Sequence, residues 1–104
     1  MASSKEYLDF VMEQLAGVPE IGWRGMMGEY IIYYRGKVIG GIYDDRFLMK
    51  NIPAAAKLMP DAQLELPYDG AKEMLMVDDI ENREFLVELL DVMYEALPAV
   101  KKRR

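Results

Sequence analysis

The sequence predicts an α+β domain built as a two-layer sandwich, an antiparallel sheet with its helices on one face. Three observations predict it. Apolar residues recur at helical spacing near both ends of the chain, around Leu8–Leu15 and Leu86–Leu97. The stretch between them, from Ile21 to Lys50, is dense in aromatic and β-branched residues, which fit a pleated surface. Strands are gathered ahead of the later helices instead of alternating with them, which argues against a parallel βαβ array.

The first helix is expected from about Ser4 to Ala16. Ser3 and Glu6 have capping-box spacing, and Leu8, Val11, Met12 and Leu15 share one face. Gly17 stops it and Pro19 prevents an easy restart. Strands are then expected at Trp23–Met27, Glu29–Tyr34 and Lys37–Tyr43, with Arg35-Gly36 as a hairpin turn between the last two. Asp44-Asp45 makes a polar corner before a fourth short strand, Phe47–Lys50. Gly28, Gly40 and Gly41 within this meander suggest a bulge or a close backbone approach. Pro53–Leu58 reads as a short helix with proline in its first turn. Gln63–Leu66 is a brief extended piece within a loop, and Lys72–Val77 is another strand. Asp78, Asp79 or Asn82 caps a last helix running to about Leu97, with Leu86, Leu89, Leu90, Met93 and Leu97 inward. The order is helix, three or four strands, helix, one or two strands, helix, in a single domain over residues 1–100. Residues 101–104 are expected to be a basic, disordered tail.

Composition limits the chemistry. The chain has 104 residues, enough to bury a core without staples, and contains neither cysteine nor histidine. Hydrolytic triads, thiol chemistry and ordinary zinc sites need those residue types. Catalysis by carboxylates or by Lys50 survives that exclusion as a lesser reading; the chain is expected to be no enzyme and to need no cofactor and no metal. It opens without a secretory signal and has no apolar run approaching a bilayer span, so a cytoplasmic location is expected. Residues 1–60 carry 7 basic and 7 acidic side chains, residues 61–100 carry 11 acids against Lys72 and Arg83, and the last four residues are all basic. The acidic second half disfavours polyanions, so nucleic-acid contact would fall to the first half or the tail.

Several constellations have a functional reading beside a plain one. Met26, Met27, Met49, Met74 and Met76 fall on expected strands; they read as core filler first, then as an adaptable groove, and last as a copper(I) site. Trp23, Tyr30, Tyr33, Tyr34 and Tyr43, with Arg24, Arg35, Lys37, Arg46 and Lys50 nearby, could stack and neutralise a single strand. Alternation puts Tyr30 and Tyr34 on one face and Tyr33 on the other, and one of those faces must meet helices. Asp44-Asp45 and Asp78-Asp79 with Glu81 are better explained by turns and caps than by a cation site. Arg24 and Glu29, flanking Met26-Met27-Gly28, suggest a buried ion pair or a recognition edge. The residues singled out for partner contact are Arg24, Met26, Met27, Glu29, Tyr30, Tyr33 and Tyr34. A homodimer is compatible with the edge strands that a meander leaves.

SKEYLDFVMEQL near the start, MMGEY at 26–30, YYRGKVIGGIYDDRFLMK at 33–50, LMP at 58–60, YDGAKEM at 68–74 and VDDIENREFLVELL at 77–90 follow one another in an order that resembles the TfoX (Sxy) N-terminal domain family. The resemblance implies a curved antiparallel sheet with a secretion-chaperone-like fold. It also implies a role in regulating bacterial competence, with a protein partner in the transcription machinery. It brings no catalytic residues. Longer members append a C-terminal domain with no counterpart in this sequence.

Overall fold

The computed structural model of the chain describes residues 3–98. Helix α1 (Lys5–Gln14) leads into strands β1 (Ile21–Met26), β2 (Glu29–Tyr34), β3 (Lys37–Ile42) and β4 (Phe47–Met49). Helix α2 (Pro53–Leu58), strands β5 (Leu64–Glu65) and β6 (Met74–Met76), and helix α3 (Arg83–Ala96) complete it. The strands form one antiparallel sheet in the order β1-β2-β3-β4-β6-β5. The expected α+β class and element order are both present.

Three successive two-residue hairpins build the meander. Met27 and Gly28, Arg35 and Gly36, and Asp44 and Asp45 all have positive φ, between 52° and 87°. Positive φ at both central residues is the signature of the type I′ turn, whose twist matches the flanking strands. Glycine or aspartate fills four of the six positions; the other two, Met27 and Arg35, carry the steric strain. Met27 was expected on a strand; it lies in the turn instead.

A bulge interrupts the β2–β3 register between Ile32 and Tyr33, where pairing passes from Ile32↔Gly40 to Tyr33↔Val38. The extra residue, Ile39, is thereby turned to the core together with Ile42, three positions on, and both are fully buried. Gly40 serves close approach: a Cβ there would overlap the Leu48 carbonyl and lie 2.8 Å from Met49 Cα on the adjacent strand.

The core lies between the helices and one sheet face. Leu8 and Val11 of α1, its C-cap Leu15, and Leu86, Leu89, Leu90 and Met93 of α3 meet Ile32, Tyr34, Ile39, Ile42, Phe47 and Met49 in one buried cluster. Met49 and Met93 are the filler that methionine supplies well. The other sheet face is covered only over β3, β4 and β6, where Pro67 and Tyr68 fold back beside Val38 and Tyr43. Arg46 ties this loop down through Glu65 Oε1 at 2.8 Å and the Leu66 carbonyl at 3.0 Å.

Ends of helices show where local rules gave way. Ser4, not Ser3, caps α1, its Oγ accepting from Tyr7 N at 3.1 Å. Asn82 caps α3 by accepting from Phe85 N at 3.1 Å. At its C-terminus α3 has no basic residue of its own in the last turn, and Lys37 fills that role from β3. Its Nζ donates to the Tyr94 and Leu97 carbonyls at 2.7 and 2.8 Å and stands 4.0 Å from the Tyr94 ring centre.

Tyr34 links sheet and helix, its hydroxyl donating to Asp91 Oδ1 at 2.8 Å. This hydrogen bond, then burial, holds the Tyr34 phenol above its ordinary 10.0. Burial first, and then Asp45, raises Tyr7; burial first, and then Tyr68, raises Tyr43. A phenol whose folded pKa is raised adds linkage stability that is complete below pH 10 and lost as pH climbs through the folded value. A tyrosinate absorbance titration is therefore expected to show Tyr7, Tyr34 and Tyr43 ionising above the ordinary phenol value, coincident with alkaline unfolding. Tyr34→Phe should remove one of the three and cost about 1 kcal/mol.

No described helix is long and apolar enough to cross a membrane. The expected basic tail at 101–104 lies outside the described residues.

Candidate functional site: the β1–β2 hairpin

Directly opposite residues in an antiparallel pair share a face. Ile32 and Tyr34 face the helices, so Trp23 and Ile21, their partners on β1, do so too. The other face of the hairpin therefore carries Arg24 and Met26 opposite Ile31 and Glu29, with Tyr33 beside Gly22. Helices do not reach this face, and the 66–73 loop lies over β3 and beyond.

The hairpin exposes large apolar side chains, as does the stretch that carries Leu64, Leu66 and Tyr68. Trp23 is 45% exposed, Met26 50% and Met27 97%. Trp23 leans edge-on against Tyr30, centroids 5.4 Å apart at 86°, which fixes the ring while leaving half of it in water. Two adjacent thioethers at a tip, one in a backbone conformation that favours asparagine or glycine, are not what stability alone selects.

The seven residues singled out from the sequence divide. Arg24, Met26 and Met27 are exposed together at the outer end of the hairpin, and Tyr33 is half-buried on the same open face. Tyr30 is half-buried against Trp23 on the helix side. Tyr34 does not belong with them: it is 3% exposed, because the face that must meet the helices claims it.

Glu29 is also placed differently from expectation. It forms no ion pair with Arg24; its Oε1 accepts from Ser3 Oγ at 2.6 Å, Ser3 N at 3.1 Å and Asp44 N at 3.2 Å. Ser3 Oγ in turn accepts from Asp45 N at 3.0 Å, and Asp45 Oδ1 accepts from Ser4 N at 2.8 Å. This knot joins the start of α1 to the β1–β2 and β3–β4 turns, and so anchors the base of the exposed tip. No local pattern marks it, since its members lie 15 to 42 positions apart.

The cation set expected for a nucleic-acid platform is largely engaged within the fold. Lys37 caps α3, Arg46 holds Glu65, and Arg35 stands 5.4 and 5.3 Å from the Tyr34 and Tyr94 ring centres. Arg24 and Lys50 form no ion pair among the described residues. The described residues contain no group of three His, Cys, Asp or Glu side chains arranged to hold a metal.

Comparison with known proteins adds a relative. The chain is 34% identical over 105 residues to a protein of Spirochaeta aurantia described as an uncharacterized 12.7 kDa protein in the trpE 5′ region. The match spans all of this chain and 91% of that protein. The chain belongs to that protein's family. No family model matches the chain, and no solved structure matches it. That membership attaches no activity to the chain.

Proposed function

We propose that this chain is a non-enzymatic regulatory module, of the TfoX N-terminal kind, that acts by binding a protein partner through the open face and tip of its β1–β2 hairpin. The partner class is a component of bacterial transcription control, and the compartment is the cytoplasm. The observation that carries the reading is the Met26-Met27 pair, held out in water at a strained turn. Methionine surfaces repack against varied partners, and an apolar tip is stabilised when a partner covers it. The alternative, direct nucleic-acid binding, is disfavoured because Lys37, Arg35 and Arg46 are committed within the fold.

Met27→Asn separates stability from binding. Asparagine suits the positive φ, so the variant should be roughly 0.5–1 kcal/mol more stable in urea unfolding. Combined with Met26→Ser, it should lose a transcription factor or polymerase subunit that the native chain retains from nuclease-treated bacterial extract. Equal retention by both forms would remove the hairpin from the contact, and recovery of nucleic acid alone would favour the alternative.

A further inference from the structure

Between the 66–73 loop and the open face of β3, β4 and β6 runs a cleft of about 520 Å³. Sites for small molecules fall at roughly 300–1,000 Å³. The loop that walls it is fastened down. Arg46 holds both Glu65 and the Leu66 carbonyl, and Leu48, which pairing with Gly41 and Met76 puts on the open face, is fully buried. Gly41 leaves room for the Tyr43 ring to lie back along β3, since a Cβ there would stand 2.8 Å from it. Tyr68 comes down from the loop until the two ring centres are 6.3 Å apart, at 53°. One end of the cleft is therefore aromatic, with Pro67 beside it.

The other end is cationic. Met49 and Leu75 pair and both join the core, so Lys50 and Met74, each one position further on, face the other way. Lys50 N donates to the Ile39 carbonyl at 2.9 Å, which sets Lys50 beside Val38. Lys72 lines the same end from the loop, with Glu73 next to it. Neither lysine forms an ion pair among the described residues. Residues 61–100 hold only two cations against 11 acids, and Lys72 is one of the two. Two lysines and one carboxylate leave the cleft with a single positive charge in a chain whose net charge is −5. Val38 and Tyr43 mark the two ends, roughly 15 Å apart along the strand.

We propose that this cleft binds a small amphiphilic monocarboxylate, an acid carried on an aryl-alkyl body. The aryl ring packs against Tyr43, Tyr68 and Pro67, and the alkyl part lies over Val38 and Met74. The carboxylate accepts from the Nζ groups of Lys50 and Lys72, hydrogen bonds of the strong, charge-assisted kind. Half-buried Lys50 thereby gains the counterion that the described fold does not supply. Glu73 sets the charge: it repels a dianion such as a phosphate monoester, whereas a monoanion neutralises the cleft. The site uses neither the tip of the β1–β2 hairpin nor its outer strand, so it stands or falls independently of the proposed partner contact.

Phenylbutyrate, titrated into the isotope-labelled full chain and followed by amide chemical shifts, tests this. It is expected to bind with a Kd of about 1 mM or below, as ordinary ligand efficiency allows a molecule of its size. Amides of Val38, Gly40, Tyr68 and Lys72 should shift saturably while those of Trp23 and Met27 stay in place. Lys50→Met and Lys72→Met should each weaken binding about tenfold and leave the rest of the spectrum unchanged, as should Tyr68→Ala at a largely exposed position. The neutral phenylbutyramide and inorganic phosphate should each bind at least about tenfold more weakly than phenylbutyrate. The absence of saturable shifts in the cleft, or shifts confined to the hairpin, overturns the proposal. So does equal binding of the amide, tighter binding of phosphate, or an affinity that ignores both lysine substitutions.

Discussion

Gly40→Ala is expected to be the most damaging small substitution in this chain, costing about 3 kcal/mol, at the upper end of overpacking effects. The added methyl would overlap the Leu48 carbonyl and crowd Met49 Cα, both backbone atoms of the neighbouring strand that no rotamer change can move. Either β3 and β4 separate there, breaking the Gly40↔Met49 pair, or the bulge at Ile39 shifts and takes a fully buried side chain out of the core. Urea unfolding reads this as a lowered midpoint at unchanged slope. A loss below about 0.5 kcal/mol would mean that the close approach is absent in solution.

The second large effect is expected at Glu29. Replacing it by alanine leaves Ser3 Oγ and Asp44 N without their acceptor and unties α1 from two turns at once. Hydrogen bonds to a charged acceptor are worth more than neutral ones, so a loss of about 2 kcal/mol is expected. The effect should be local as well as global. Amide hydrogen exchange should accelerate in residues 3–8 and at Asp44 and Asp45, and Ser3→Ala should reproduce part of it. Because the two residues share the bond, the double variant should cost less than the sum of the singles. Strict additivity would show that Glu29 acts elsewhere.

What the sequence revealed depended on how local the determining physics was. The meander was legible because strand propensity and the Arg35-Gly36 turn act within a few residues. So was α3, whose apolar spacing and Asn82 cap lie along one helix. Met27 was misplaced because methionine gives no turn signal, and only Gly28 marked the hairpin. The α1 cap was one residue early because two adjacent serines are equivalent locally, and Glu29, 26 residues away, claims the first of them. Arg24 and Glu29 look like an ion pair in sequence, yet the tertiary knot outcompetes that contact. Likewise nothing near Lys37 shows that its charge closes a helix beginning more than 40 positions later. Tyr34 illustrates the limit of pattern reading, since alternation assigned it a face but could not say which face the helices would cover.

The central claim, that the β1–β2 hairpin is a partner-binding surface, is tested most directly by site-specific photo-crosslinking in living bacteria. A photoreactive residue at position 24 or 27 samples the open face and the tip, while one at Lys57, exposed on α2, serves as the comparison. A discrete adduct to one protein species from positions 24 and 27, absent from position 57, is the predicted result. An adduct from position 57 alone, or none from the hairpin at native abundance, would contradict it.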